Sequence, residues 1–159
     1  MSYKLFDRKL KLYLDTSVPN HLFATDTLEK QRITQIFFDR AKREVDSFYT
    51  SGILLREIEK APTQKYKLLL AVVENIPLLE YTVDSEKLAQ EYLRLKIVTP
   101  SSIEDARHVA VATVHNMDAV VSWNFKHLVN LRRAYKFNLV NKVMGYKSIE
   151  IVSPQEVIE

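Results

Sequence analysis

Short β-rich runs alternate along this chain with longer segments of helical periodicity, and this alternation limits the possible folds more than any other feature. Runs of apolar and β-branched residues predict strands at Leu10–Leu14, Ser47–Thr50, Leu78–Thr82, Ala119–Ser122 and Ile149–Val152. Apolar residues at helical spacing predict helices at Thr27–Val45, Ile53–Lys60, Gln64–Glu74, Ser85–Lys96, Ser102–Asn116 and Phe125–Tyr135. We therefore expect an α/β fold, a three-layer α/β/α sandwich with a central parallel sheet of about four to five strands.

The length and composition of the chain fit a single domain over residues 1–159. Hydrophobic residues make up 47% of the chain, which is enough for a core of ordinary size. With only two glycines and five prolines, the chain shows no linker at which it would divide into two domains. The absence of cysteine excludes disulfides and thiolate metal sites, which favours an intracellular protein. The N-terminal sequence lacks the unbroken apolar run of a signal peptide, and no window approaches the roughly 20 apolar residues of a membrane span. We expect a soluble, cytoplasmic protein.

Positive charge is concentrated in one segment near the C-terminus. Residues 119–149 contain no Asp or Glu and six basic residues, whereas the rest of the chain has 17 Lys and Arg against 20 Asp and Glu. A segment of this kind is commonly a solvated surface, and it is also the charge pattern of a nucleic-acid contact. Charge alone leaves both interpretations open.

Asp15 lies at the end of the first predicted strand, directly after an apolar run. In an open parallel sheet, ligands gather outside the carboxyl ends of the strands, so this carboxylate is a candidate metal ligand. Taken alone, Asp15 fits the N-cap of a helix that opens near Pro19 equally well. The same edge of the sheet should also hold Ser122 and Asn124, which follow the fourth predicted strand.

Glu57 and Asp105 are further acids in unusual sequence surroundings. Glu57 lies among the apolar residues of a short helix, where a carboxylate is costly to desolvate unless it is paired. A surface ion pair with Arg56 or Lys60 would explain it without any function. Asp105 falls in the first turn of a helix, where the helix dipole favours an acid in any case. A parallel α/β layout can nevertheless bring these acids together with Asp15.

Four motifs in this order resemble the PIN-domain family over nearly the whole chain. They are Leu14-Asp15-Thr16-Ser17, Leu54-Leu55-Arg56-Glu57-Ile58, Glu104-Asp105-Ala106-Arg107-His108-Val109-Ala110-Val111-Ala112 and Asp118-Ala119-Val120-Val121-Ser122-Trp123-Asn124-Phe125-Lys126-His127-Leu128. The resemblance implies a PIN-like, Rossmann-like fold, a Mg²⁺ or Mn²⁺ site and endoribonuclease activity. It also implies that the chain is a VapC-like toxin, with an antitoxin protein as a possible partner and a homodimer as the expected assembly.

The resemblance also assigns roles to individual residues. Asp15, Glu57 and Asp105 match the three metal carboxylates of the family, and Ser122 matches its small hydroxyl residue after the fourth strand. The family frequently has a fourth acid two positions later, where this chain has Asn124. We therefore expect these five residues to be catalytic, with the three acids as the metal ligands.

Metal-assisted hydrolysis of RNA explains why such residues would be needed. A divalent cation offsets the negative charge of the phosphate and lowers the pKa of a nucleophilic water, and oxygen ligands suit Mg²⁺. We expect Glu57 to position or deprotonate that water. Basic residues that follow Asn124 are candidates for phosphate contacts, namely Lys126, His127, Arg132, Arg133 and Lys136. Trp123 fits either a core position or a surface on which a base stacks.

Three other interpretations stay open on the sequence. The departure at Asn124 fits a catalytically weakened PIN-like module that binds nucleic acid. The acids could instead be caps and ion pairs of a protein-interaction module. A zinc site on His108 and His115 is disfavoured, because their seven-residue spacing does not point two imidazoles of one helix at one ion.

Overall fold

Five parallel strands form one sheet at the centre of the computed structural model, which describes residues 8–159. The strands are β1 (Lys11–Leu14), β2 (Ser47–Ser51), β3 (Leu78–Leu79), β4 (Ala119–Val121) and β5 (Glu150–Val152). Their order across the sheet is β3-β2-β1-β4-β5, so β1 lies in the middle. The five predicted strands are thereby confirmed, with ends that differ by one to three residues. Residues 1–7, on which the expectation of no signal peptide partly depends, lie outside the described residues.

Eight α-helices connect or follow the strands in the described part of the chain. They are α1 (Ser17–His21), α2 (Leu28–Lys42), α3 (Gly52–Ile58), α4 (Thr63–Val73), α5 (Val83–Arg94), α6 (Ile103–Val114), α7 (Leu131–Val143) and α8 (Pro154–Ile158). A 3-10 turn at Pro100–Ser102 precedes α6. Within residues 8–159, no helix combines the length and the apolar character that crossing a membrane requires.

Side chains alternate along the strands between two apolar layers. Tyr13 on β1 and Val120 on β4 point to one face, where they pack with buried residues of α5, α6 and α7. Leu12 and Leu14 point to the other face, where they pack with Val18 of α1 and with α2. The sheet is therefore covered by helices on both faces, which confirms the expected three-layer α/β/α sandwich.

The predicted helix at Phe125–Tyr135 is wrong in its first half. Residues 125–130 form a turn, and α7 begins only at Leu131. The side chain of Asn130 accepts hydrogen bonds from the backbone N–H groups of Arg132 and Arg133, at 3.1 and 3.2 Å, so Asn130 is the N-cap. The short α8, which a Ser153 capping box opens, was not predicted.

Candidate active site

The carboxyl ends of β1 and β4 bring Asp15 and Ser122 side by side. Leu14 pairs with Val121 in the sheet, so the residues that follow them are neighbours. Ser122 Oγ donates a hydrogen bond to Asp15 Oδ2, and both side chains are buried. Strand pairing therefore places two of the predicted site residues in direct contact.

The second oxygen of Asp15 is held by Ser17. Oδ1 accepts hydrogen bonds from the Ser17 backbone N–H at 3.0 Å and from Ser17 Oγ at 2.5 Å. Asp15 thus also supports the start of α1, although the N-cap of this helix is Thr16 and not Asp15 as the alternative had it. Burial raises the pKa of Asp15, although the charge of His108 and the hydrogen bonds from Ser122 and Ser17 oppose this rise.

Asp105 enters the same region from the first turn of α6. Asn124 Nδ2 donates to Asp105 Oδ2 at 3.3 Å, while Asn124 Oδ1 accepts from the His127 backbone N–H at 2.9 Å. Burial and, next, the negative charge of Asp15 raise the pKa of Asp105 to about 6, and Glu57 adds to this effect. The three acids therefore lie close enough to repel one another.

Asn124 presents N–H groups to Asp105, and its oxygen is engaged in the turn.

Glu57, on α3, is half-buried and faces these acids. Its Oε1 accepts from Thr16 Oγ1 at 2.7 Å and lies 2.6 Å from His108 Nε2. Burial alone would raise the pKa of Glu57, but the hydrogen bond and charge of His108, together with Thr16, hold it below its usual value. The alternative of a surface ion pair with Arg56 is not realised, because Arg56 Nη2 lies 3.8 Å from Glu104.

A buried row of polar side chains lies behind Glu57. His108 Nδ1 is 2.6 Å from the hydroxyl of Tyr13, which is 2.7 Å from Ser51 Oγ. Burial lowers the pKa of His108, but the hydrogen bond and charge of Glu57, together with the charges of Asp15 and Asp105, raise it overall. Sequence reasoning missed this row. The available signal was that His108 lies three residues after Asp105, on the same face of a helix, and that Tyr13 carries a hydroxyl between the apolar Leu12 and Leu14.

His108 and His115 have separate partners, which leaves no zinc pair on α6. His108 is buried against Tyr13 and Glu57, whereas His115 Nε2 lies 2.7 Å from the backbone oxygen of Glu80. The imidazoles therefore do not converge, as their spacing indicated.

The donor set of the acidic cluster fits a hard divalent cation. Carboxylate and hydroxyl oxygens are the ligands that Mg²⁺ and Mn²⁺ prefer. Burial and the charges of neighbouring acids raise the pKa of Asp105, and a cation would offset those charges. Over residues 8–159, however, no group of three or more Asp, Glu or His side chains lies in an arrangement that could hold a metal ion. Asp15, Glu57 and Asp105 are each hydrogen-bonded to a neighbour instead. Their role as metal ligands stays a prediction.

The residues predicted to contact RNA differ in their exposure. Lys126, Arg132 and Lys136 are exposed, and His127 is partly buried in the turn. Arg133 is also partly buried, and its Nη1 donates to the backbone oxygen of Ile97, so this arginine ties α7 to the loop after α5.

Trp123 belongs to the core. Only 5% of it is exposed, and its Nε1 donates to Thr34 Oγ1 at 2.9 Å. This confirms the core interpretation of Trp123 over that of a surface for base stacking.

Comparisons with known proteins concern the fold. Neither a scan against models of known protein families nor a search of curated proteins found a match. A search of solved structures found eleven matching chains. One belongs to the crystal structure of VapBC2 from Rickettsia felis bound to a DNA fragment from their promoter, with a TM-score of 0.56, 12% identity, and coverage of 91% of this chain and 98% of that one. The likeness is one of fold. It agrees with the PIN-like α/β/α architecture expected from the sequence.

The raised pKa of Asp105 makes a prediction about stability. Because this pKa is raised in the folded protein from 3.8 to about 6, the unfolded chain loses the proton first, and stability should fall as pH rises through that interval. Asp105→Asn should stabilise the metal-free protein by about 1–2 kcal/mol near neutral pH and make the fall less steep. Urea unfolding in chelator across this pH range measures the effect.

Asp26→Asn, in an exposed loop, is the matched control and should leave the profile unchanged. A wild-type profile shared by Asp105→Asn would contradict the raised pKa of Asp105.

Proposed function

We propose that the protein is a PIN-domain endoribonuclease that hydrolyses RNA phosphodiester bonds with the help of Mg²⁺ or Mn²⁺. The observation that carries this proposal is the grouping of Asp15, Glu57 and Asp105 in one polar cluster beside the carboxyl ends of β1 and β4. Three acids in one partly buried cluster are unfavourable without a cation, so their presence there calls for a charge that balances them.

Each polar residue of the cluster has a defined task in this proposal. Asp15, Glu57 and Asp105 would hold the cation, which offsets the charge of the phosphate and lowers the pKa of a water. Ser17 and Ser122 fix the two oxygens of Asp15. The lowered pKa of Glu57 favours its carboxylate form, which we propose positions or deprotonates the attacking water.

The exposed basic residues of the segment after Asn124 are proposed to bind the RNA backbone. Lys126 follows Asn124 within two residues, and Arg132 and Lys136 lie on the first turns of α7. His127 lies in the same turn, whereas Arg133 supports the loop and contributes mainly through its charge. Contacts with phosphate give affinity that depends on salt but not on base sequence.

We further propose that the protein is the toxin of a toxin–antitoxin pair, inhibited by an antitoxin protein, and that it forms a homodimer. The fold likeness to a chain of the VapBC2 structure supports the antitoxin partner. Exposed apolar side chains on α2 and α4 support the dimer, since Ile36 and Leu68 are 39% and 52% exposed.

The position of Asn124 favours a second candidate function, that of a module that binds RNA without cutting it. This residue stands where a fourth acid would add charge, and its amide is already engaged by His127 and Asp105. RNA binding without cleavage in the presence of either metal would identify this second function.

Cleavage of structured RNA by the purified chain tests the nuclease proposal. Wild-type protein should cut RNA in the presence of Mg²⁺ or Mn²⁺, and EDTA should abolish the cleavage. Asp15→Asn and Asp105→Asn should each reduce the cleavage rate at least about a hundredfold, because each removes a charged metal ligand. Glu91→Gln alters an acid of α5 that pairs with Arg94, so it should cut normally. Cutting that persists in both site variants would refute the proposed site.

Salt dependence of RNA binding tests the basic surface. Lys126→Ala and Arg132→Ala, each made in the Asp105→Asn background to prevent cleavage, should weaken binding and lower the salt slope by about one. Lys67→Ala removes an exposed charge from α4 and should change neither quantity. If all three substitutions change the salt dependence of RNA affinity equally, the segment after Asn124 is not the RNA-binding surface.

A further inference from the structure

A row of hydrogen bonds joins β2, β1 and α6 to the back of Glu57. It runs from Ser51 Oγ to the Tyr13 hydroxyl at 2.7 Å, from there to His108 Nδ1 at 2.6 Å, and from His108 Nε2 to Glu57 Oε1 at 2.6 Å. Tyr13 and Ser51 are 0% exposed and His108 is 1% exposed. Because water does not reach these groups, they must satisfy one another.

Glu57, at the end of the row, determines which nitrogen of His108 carries a proton. A carboxylate can only accept hydrogen bonds, so His108 Nε2 must carry the proton that it shares with Glu57. When the imidazole is neutral, Nδ1 is then an acceptor, and the Tyr13 hydroxyl must donate to it. Glu57 therefore fixes this tautomer of His108, and Tyr13 supports it by donating to Nδ1.

Both hydrogen bonds that reach Glu57 fall on the same oxygen. His108 Nε2 and Thr16 Oγ1 both contact Oε1, and within residues 8–159 no hydrogen bond is formed with Oε2. Because both hydrogen bonds use Oε1, the Oε2 atom of Glu57 is left available to bind a ligand.

We propose that Tyr13 and His108 are positioning residues that hold Glu57 with Oε2 directed to the cation and water of the acidic cluster. This inference rests on the proposed function, and it adds two residues that touch neither RNA nor metal. Groups that hydrogen-bond a metal ligand from behind fix its orientation, and their loss typically costs 10- to 100-fold in metal affinity or activity.

The chain contains a second buried tyrosine that serves as a matched control. Tyr92 is 0% exposed, and its hydroxyl donates to Asn141 in the core between α5 and α7, with no contact to the acids. Tyr13→Phe and Tyr92→Phe each delete one buried hydroxyl; the first leaves Ser51 and His108 without this partner and the second Asn141, so both variants should be destabilised. Only Tyr13→Phe should change the acidic cluster.

The experiment compares these two variants with wild type in Mn²⁺ titration, RNA cleavage and proton NMR. Tyr13→Phe should bind Mn²⁺ about tenfold more weakly and cut more slowly, and Tyr92→Phe should match wild type. In metal-free protein, the Nε2–H proton of His108, sheltered from exchange, should give a downfield resonance that Tyr13→Phe loses and Tyr92→Phe keeps. Equal Mn²⁺ affinity and an unchanged resonance in Tyr13→Phe would overturn the proposal.

His108→Gln and His108→Leu give a second comparison, which also serves if Tyr13→Phe does not fold. The two side chains are similar in size, but only Gln can donate to Glu57. His108→Gln should retain more Mn²⁺ affinity than His108→Leu, and equal affinities would contradict the positioning role.

The two proposals fail in different ways. If wild-type protein neither binds Mn²⁺ nor cuts RNA, the nuclease proposal fails, and the His108 resonance alone decides whether Tyr13 holds His108 on Glu57. If wild type binds and cuts but Tyr13→Phe does so equally well, only the positioning role fails.

Discussion

The parallel pairing of β1 with β2 on one side and β4 on the other is the constraint on which the rest of the site depends. Because the three strands run in the same direction, their carboxyl ends meet at one edge of the sheet. This places Asp15 beside Ser122 and close to Ser51, which opens α3 and so brings Glu57 toward the edge. Helix α6, packed on the same face as Tyr13, adds Asp105 and His108.

Repulsion among the acids is the cost of this arrangement, and the neighbouring polar groups reduce it. Ser17 and Ser122 stabilise Asp15, Asn124 stabilises Asp105, and Thr16 and His108 stabilise Glu57. The compensation is unequal. The pKa of Glu57 is lowered, whereas those of Asp15 and Asp105 remain raised by burial. A divalent cation bound at the cluster would offset the negative charge that these hydrogen bonds do not stabilise.

The strands could be predicted because they follow from short-range patterns, whereas the grouping of the acids was expected from the parallel α/β layout and the family resemblance. Leu12 and Leu14 around Tyr13 mark a buried strand, and Asp15 marks its end. The helix at Phe125–Tyr135 was misplaced, because apolar residues 125 and 128 matched a helical period while Asn124 and Asn130 formed turn and cap hydrogen bonds that periodicity does not register. Hydrogen-bond partners that lie far apart in the sequence could not be predicted either. The spacing of His108 from Asp105 indicated that the two share a helix face, but no local pattern indicated that Tyr13 and Glu57, 95 and 51 residues away, would contact both nitrogens of His108.

The central claim is that the acidic cluster is a cation site, and thermal unfolding with and without Mn²⁺ tests it most directly. A ligand that binds only the folded state raises the unfolding temperature. Mn²⁺ should therefore raise the unfolding temperature of the wild-type protein and leave that of Asp105→Asn almost unchanged. An equal rise in both proteins, or no rise in either, would contradict the claim that these carboxylates hold a metal ion.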